Sequence, residues 1–494
     1  MQERPYEKQT LPQFVYRRKR CGRFKARIVL QGFMMIAGLE FNETFAPVAR
    51  VSSIRIVLAL TAKYDLETRQ IDFRTAFLNP NMDTKVYIKL PPAFNLNPEI
   101  QANAGASETH HLMLKGVPGT PQGSFLFNQD VTKVFNEIGL QPLSDDPCIF
   151  VTDNKFPMII VLLWVDDSLM VYPKELEERA SQIVSQLKQR FKIHDLGPVK
   201  DLLGLNIIRD RARKTLTIDQ SAYARAILDK AGMKDCSAEP TPIASGFVFT
   251  KKDCPATESE QLELKTEARW YRTAVASCLY LSTWTRPDLS YAISKFCKFM
   301  SNPGKSHIRA VKRLLRHLKG TIDRCLSYDF SKPPARTGVY GFHDSAHADD
   351  VDTRRSTMAY LFFLEGCSIS WHSKLHSYVT VSTNHSEYVI SAKAAREARW
   401  LGKIFTGLGF SRLVTPIDLF SDSTGAIAMN YNPVNHSASK HVELADHYAR
   451  EQISRGFITI SYVPTKQMIA DFLTKQLQRA QAEYLIHLAG LRKL

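Results

Sequence analysis

Two strongly apolar runs, Met158–Val165 and Leu169–Tyr172, flank the acidic pair Asp166 and Asp167. That pattern predicts a buried β-hairpin with two carboxylates at its turn. Upstream, FKARIVLQGF, SSIRIVLALTAKY and KVYIKL predict a mixture of short strands and helices. Between Lys305 and Lys319 the period changes. Ile308, Val311, Leu314, Leu315 and Leu318 form a stripe at 3.6-residue spacing, and Lys305, Arg309, Lys312, Arg313 and Arg316 occupy the rest, as on an amphipathic helix. Beyond it, GVYGFHD, TMAYLFFLEG, SISWHS, IDLFSD and FITISYV alternate with helical segments, which is an α/β pattern. Two stretches look like linkers, Pro240–Gln261 and Ser331–Thr337, and they divide the chain near 240 and 336.

A chain of 494 residues exceeds one core, and at ~150 residues per domain about three domains are expected. Hydrophobic residues at 44% and charged residues at 23% exclude a disordered tail, a collagen or a coiled-coil rod. No apolar run approaches the ~18 residues of a membrane span, and MQERPYEKQTLPQF has no apolar signal segment. The expectation is a soluble intracellular protein with no membrane partner, in a cytoplasmic particle or the nucleus. Its net charge of +16 is unevenly placed: fifteen Lys/Arg face five Asp/Glu between Glu263 and Arg336, and Arg17–Arg27 holds seven basic residues and no acid. Such clusters suit a polyanion such as nucleic acid. The eight cysteines form no CxxC pair, and GxxxxGK[ST], HExxH and GxSxG are absent, which disfavours structural zinc, NTPase motors, zincins and serine hydrolases.

Adjacent carboxylates at a buried turn repel each other and resist desolvation unless a cation is present. A divalent metal explains Asp166 and Asp167, but a two-metal centre needs a further carboxylate. Asp72, after the short strand of ETRQIDFRTAFLN, is the natural candidate.

Several ordered motifs carry a resemblance: the run Phe24–Arg55, QIDFRTAFLN at Gln70–Asn79, PQG at Pro121–Gly123, WVDD at Trp164–Asp167, DLGPVKDLLGL at Asp195–Leu205 and the segment Thr285–Thr321. Together they resemble the reverse transcriptase of a copia-type LTR retrotransposon polyprotein. HDSAHADD, TNHSEY, SDSTGAIA and TKQMIADFLTK extend the resemblance through its RNase H region. The fold it implies is an α+β right-hand polymerase of fingers, palm and thumb over residues 1–240, a basic helical connection over 241–336, and an α/β RNase H-like domain over 337–494. The activity it implies is RNA-directed DNA polymerisation with RNase H cleavage, both by two-metal phosphoryl transfer. Asp72, Asp166 and Asp167 match the palm carboxylates, and Mg²⁺, or Mn²⁺, fits such oxygen ligands. Phe77 matches the aromatic beneath the incoming sugar, Gln122 the nucleotide-contacting glutamine, and Lys25 and Arg27 the basic fingers strand over the triphosphate. Asp344, Glu387, Asp422 and Asp471, on two strand ends and two helix starts, match the RNase H metal ligands. Lys305, Arg309, Lys312, Arg313 and Arg316 are the expected backbone-tracking cations. RNA template, DNA primer, RNA–DNA hybrid and dNTPs are the implied partners, and no oligomeric state is implied.

The chain departs from the family pattern at four places. Trp164 stands before VDD in place of Tyr, Phe125 and Phe127 replace an Arg and a Trp after PQG, and His347 replaces a Trp. The fourth is the beginning, just before the basic fingers strand, which implies that the first palm and fingers segment is missing. Two alternatives stay open: an RNase H-only remnant, and a catalytically silent nucleic-acid-binding relic. His441 and His447 face different directions on a helix and are not read as a metal pair.

Overall fold

The computed structural model describes residues 12–18, 22, 24–89, 110–432 and 444–494. They form two compact units, one of residues 1–49, 68–153 and 158–198, the other of 50–67, 154–157 and 199–494. His441 and most of the basic run after Arg18 lie outside the described residues.

The first unit begins with the antiparallel hairpin β1 (Pro12–Arg18) and β2 (Phe24–Leu30). After β3 (Glu67–Phe73) comes a small ribbon of β4 (Tyr87–Lys89) and β5 (His110–Leu112). Then follow β6 (Gln141–Leu143), β7 (Asp146–Val151), β8 (Ile160–Trp164), β9 (Asp167–Tyr172) and β10 (Ile193–Gly197). Six of these strands make one sheet in the order β10-β3-β9-β8-β7-β6. The apolar runs around the acidic pair are thus its central hairpin, as their pattern predicts. Val161, Leu163, Met170 and Tyr172 alternate onto one face, where they meet Phe127, Val131 and Val134 of the helix Gly123–Glu137 and Ile183, Val184 and Leu187 of the helix Glu177–Arg190. Phe127, the departure after PQG, fills this core edge-on against Phe73 and Phe191, directly behind the strand that carries Asp72.

The second unit holds a sheet of β11 (Asp201–Leu202), β12 (Leu205–Asp210), β13 (Thr215–Asp219) and β14 (Arg324–Asp329), packed with the helices Ser221–Lys230, Lys265–Trp284, Ser290–Cys297 and Lys305–Gly320. The stripe on the last helix is buried as its period predicts. Residues 240–261, which read as a linker, are instead part of this core. Ile243 and Phe249 are buried in it, and a helix starts at Glu258 behind a capping box of Thr257 and Glu260. Next come β15 (Val339–Ala346), β16 (Thr357–Leu364), β17 (Cys367–Leu375), β18 (Ile417–Ser421) and β19 (Ile458–Tyr462) in the order β17-β16-β15-β18-β19. The first three run antiparallel, and β18 and β19 add to β15 in parallel. The helix Thr383–Gly407 packs its buried Val389 and Ile390 against Met358 of β16. Finally β20 (Leu491–Lys493) returns to β14, so the C-terminus completes the sheet that β11 began.

Candidate functional site

Adjacent strands bring Asp72 and the acidic turn together. Asp72 is the penultimate residue of β3, and the Phe73 amide beside it donates to the Asp166 carbonyl at 2.8 Å. Trp164 pairs with Asp167 across the β8–β9 turn, which leaves Val165 and Asp166 as its two residues. Val165 has φ +54°, a left-handed conformation that a β-branched side chain adopts only under strain of about 1–3 kcal/mol. Asp166 is exposed, while Asp72 and Asp167 are half-buried.

Lys25 and Arg27 sit two apart on β2 and so share a face. The end of β2 is clamped where Gly119, at φ +97°, meets Leu30: a Cβ there would lie 2.1 Å from the Leu30 carbonyl, and the Leu30 amide donates to the Pro118 carbonyl at 2.8 Å. Phe77, half-buried in the short 3-10 turn Ala76–Leu78, packs against the helix-covered core beside Asp72. Gln122 is placed differently from a nucleotide-contacting residue. It is fully buried, and its amide nitrogen donates to the Glu40 carbonyl at 3.0 Å and to Thr84 at 3.3 Å. It ties the segment after β2 to the start of the helix Gly123–Glu137.

The carboxylates of the C-terminal sheet converge closely. Asp344, within β15, and Asp422, just past the end of the neighbouring parallel β18, meet Glu387 from the first turns of the helix Thr383–Gly407. One ligand oxygen from each lies within 4.8 Å of the others, and among the described residues this is the group of three acidic, His or Cys side chains drawn so close. Asp72, Asp166 and Asp167 do not reach that spacing. Hydrogen bonds orient each of the three converging acids. Glu387 Oε1 accepts from the Ser345 amide at 2.9 Å and its hydroxyl at 2.7 Å, Asp422 from Thr465 at 2.7 Å, and Asp344 from Thr474. The second Glu387 oxygen is buried without a partner. Asp471 stands apart in the 3-10 turn Ile469–Leu473, 2.9 Å from the Lys475 ammonium, which also lies 3.7 Å from Asp344.

Burial and mutual repulsion make these acids costly. Burial pushes the Asp344 carboxyl up, with Asp422 adding to it against Lys475 and Thr474. Glu387 is raised well above the carboxylate range by burial and then by Asp344, and Asp471 goes to about 7 for the same two reasons. Oxygen-only donors, like charges at close range and an orphaned carboxylate oxygen together fit a hard divalent cation. Thr474, Lys475, Ser345 and Thr465 went unread in the sequence. The TK pair three and four residues after Asp471 was the available signal for the first two.

Of the cations on the helix Lys305–Gly320, three have acidic partners. Lys305 pairs with Glu263 at 2.8 Å, and Arg313 and Arg316 share Glu239 at 2.7 and 3.0 Å. Arg309 and Lys312 are exposed. The separation of basic and apolar faces holds, but only part of the basic face is open to a ligand.

Residues 1–245 match the model of the reverse transcriptase (RNA-dependent DNA polymerase) family. A Pol polyprotein of the transposon TNT 1-94 from Nicotiana tabacum is 32% identical over 481 residues, covering 95% of this chain and 34% of the relative. The Pol polyprotein of transposon RE2 from Arabidopsis thaliana is 30% identical over 472 residues, covering 96% of this chain and 31% of its own length. The chain therefore spans about a third of the length of these relatives. A foamy viral protease-reverse transcriptase, solved in complex with an RNA/DNA hybrid, aligns over 95% of this chain and 52% of its own at 12% identity and a TM-score of 0.45. With the motifs in their expected order along the fold, the chain belongs to the reverse transcriptase family, and Pol polyproteins of copia-type retrotransposons are its homologues.

Proposed function

We propose that the chain copies RNA into DNA and cleaves the RNA of the resulting hybrid, with Mg²⁺ as the physiological cation and Mn²⁺ as a substitute. The observation that carries the proposal is the convergence of Asp344, Glu387 and Asp422 with an unpartnered Glu387 oxygen. The cations supply activation of the attacking oxygen and charge neutralisation at the phosphate. The chain's own residues do the rest. Ser345, Thr465 and Thr474 hold Glu387, Asp422 and Asp344 by directed hydrogen bonds, so little reorganisation is needed when a substrate arrives. Asp471 completes the acidic set from the turn before the C-terminal helix.

On the polymerase side, Asp72, Asp166 and Asp167 hold the cations for primer extension, supported by the bond between the Phe73 amide and the Asp166 carbonyl. Lys25 and Arg27 receive the dNTP triphosphate, and Phe77 lies beneath the sugar. The burial of Gln122 supports a positioning role behind that site. Residues 1–240, 241–336 and 337–494 act as polymerase, connection and nuclease, with RNA template, DNA primer and hybrid as ligands. Arg309 and Lys312 contact the hybrid backbone. A nuclease-only reading is favoured by one observation, the tighter spacing of the nuclease acids. Primer extension and hybrid cleavage, assayed on one preparation with Mg²⁺ and with EDTA, separate the two. Both activities are expected with Mg²⁺ and neither with EDTA. With Mg²⁺, cleavage without extension selects the nuclease-only reading, and absence of both overturns the proposal.

A further inference from the structure

The nuclease cluster contains a cation of its own. Lys475 lies four residues beyond Asp471, and its backbone amide donates to the Asp471 carbonyl at 3.1 Å, which folds its side chain back over that acid. From there its ammonium stands 2.9 Å from Asp471 and 3.7 Å from Asp344. Both acids are almost completely buried, at 1% and 3% exposure. Two buried like charges of this kind require a nearby countercharge. At 2.9 Å the Lys475 ammonium and the Asp471 carboxylate form a close ion pair. The Lys475 side chain is itself 39% exposed and also lines a cavity of about 50 Å³ with Tyr291, His317 and Glu483. It can withdraw from the acids without crossing packed protein.

We propose that Lys475 is a positioning residue that serves as the resident countercation of the carboxylate cluster, pairing Asp471 with Asp344 and thereby making divalent-cation binding depend on the phosphate of the nucleic-acid substrate. The inference rests on the metal-centre reading above. Once divalent cations hold them ionised, four carboxylates carry four negative charges and Lys475 returns one. Two divalent cations would then leave the cluster one charge positive, which a substrate phosphodiester cancels. Without Lys475, the same two cations neutralise the acids unaided and need no phosphate. Cation and substrate therefore bind cooperatively with the lysine and nearly independently without it, and by linkage the effect is reciprocal. Partial exposure screens the ammonium, so the effect is about tenfold rather than the thousands that full burial would give.

The test uses the full chain with Lys475→Met, Lys475→Gln and Lys475→Arg, and with Glu387→Gln as the control for the metal centre. Mn²⁺ binding is read by electron paramagnetic resonance, alone and with an uncleaved hybrid whose RNA strand is 2′-O-methylated. In the wild type the hybrid should tighten Mn²⁺ binding about tenfold. Lys475→Met and Lys475→Gln should bind Mn²⁺ alone about tenfold more tightly than wild type and gain little from the hybrid, and Lys475→Arg should restore the wild-type dependence. In cleavage assays the half-saturating Mg²⁺ should fall for Lys475→Met and Lys475→Gln. If Glu387→Gln weakens Mn²⁺ binding but the folded Met and Gln variants match wild type with and without hybrid, the lysine inference is overturned and the metal centre stands. If Glu387→Gln leaves Mn²⁺ binding unchanged, the metal centre falls and the inference with it.

Discussion

Val165 shows how a single residue can be held in an unfavourable backbone state beside an acidic turn. Its left-handed φ of +54° turns the chain between β8 and β9 within two residues and leaves Asp166 exposed beside the end of β3. A glycine adopts that conformation without steric penalty. Val165→Gly is therefore expected to stabilise the first unit by about 1 kcal/mol in urea denaturation, whereas glycine at the buried, extended Val161 should cost several. Equal losses at the two positions would mean that the turn stores no strain. At this scale the sequence was informative in a particular way. The seven acids could be named because each sits in a distinctive local string. The groups that orient them could not, since Ser345, Thr465 and Thr474 are ordinary hydroxyls until folding brings them against Glu387, Asp422 and Asp344. Gln122 is the converse: its string is distinctive, but burial gives the side chain to Glu40 and Thr84.

Among the elements, the helix Lys305–Gly320 was legible because a 3.6-residue stripe survives any tertiary context. Its basic face was only half legible, since the partners Glu239 and Glu263 lie 42 residues and more away in sequence. Replacing the exposed Arg309 and Lys312 by Gln should weaken hybrid binding for all sequences alike and flatten its salt dependence by about 0.7–0.9 log units for each phosphate no longer neutralised. Arg316→Gln should leave that slope nearly unchanged and act on local stability through Glu239. An equal slope change for Arg316→Gln would contradict this division. The segment 240–261 misled because Pro, Ser and Thr composition masks two buried anchors, Ile243 and Phe249, although T-x-x-E at Thr257–Glu260 already signalled a helix start. The C-terminal strand β20 was equally hidden, being three residues long and paired with β14 far upstream. Leu491, 3% exposed in that strand, should cost about 2 kcal/mol when changed to Ala, read as a lowered unfolding midpoint.

The whole molecule should lose stability in mild acid through buried histidines. Burial lowers His317 to about 4, against 6.5 for an exposed imidazole, so the folded state holds it neutral while the unfolded chain takes up a proton first. Its contribution is complete above about pH 6.5 and is lost progressively as pH falls toward 4. His317→Gln should reduce the loss of unfolding free energy between pH 7 and pH 5 by about 1–2 kcal/mol. The proposed function assigns two acidic sets of one chain to two separate activities. The most direct measurement is therefore a crossed assay of Asp166→Asn and Glu387→Gln in the full chain, scored for Mg²⁺-dependent primer extension and for cleavage of an RNA–DNA hybrid. Asp166→Asn is expected to abolish extension and spare cleavage, and Glu387→Gln to abolish cleavage and spare extension, with hybrid binding close to wild type in both. Extension that survives Asp166→Asn, or cleavage that survives Glu387→Gln, would contradict the account.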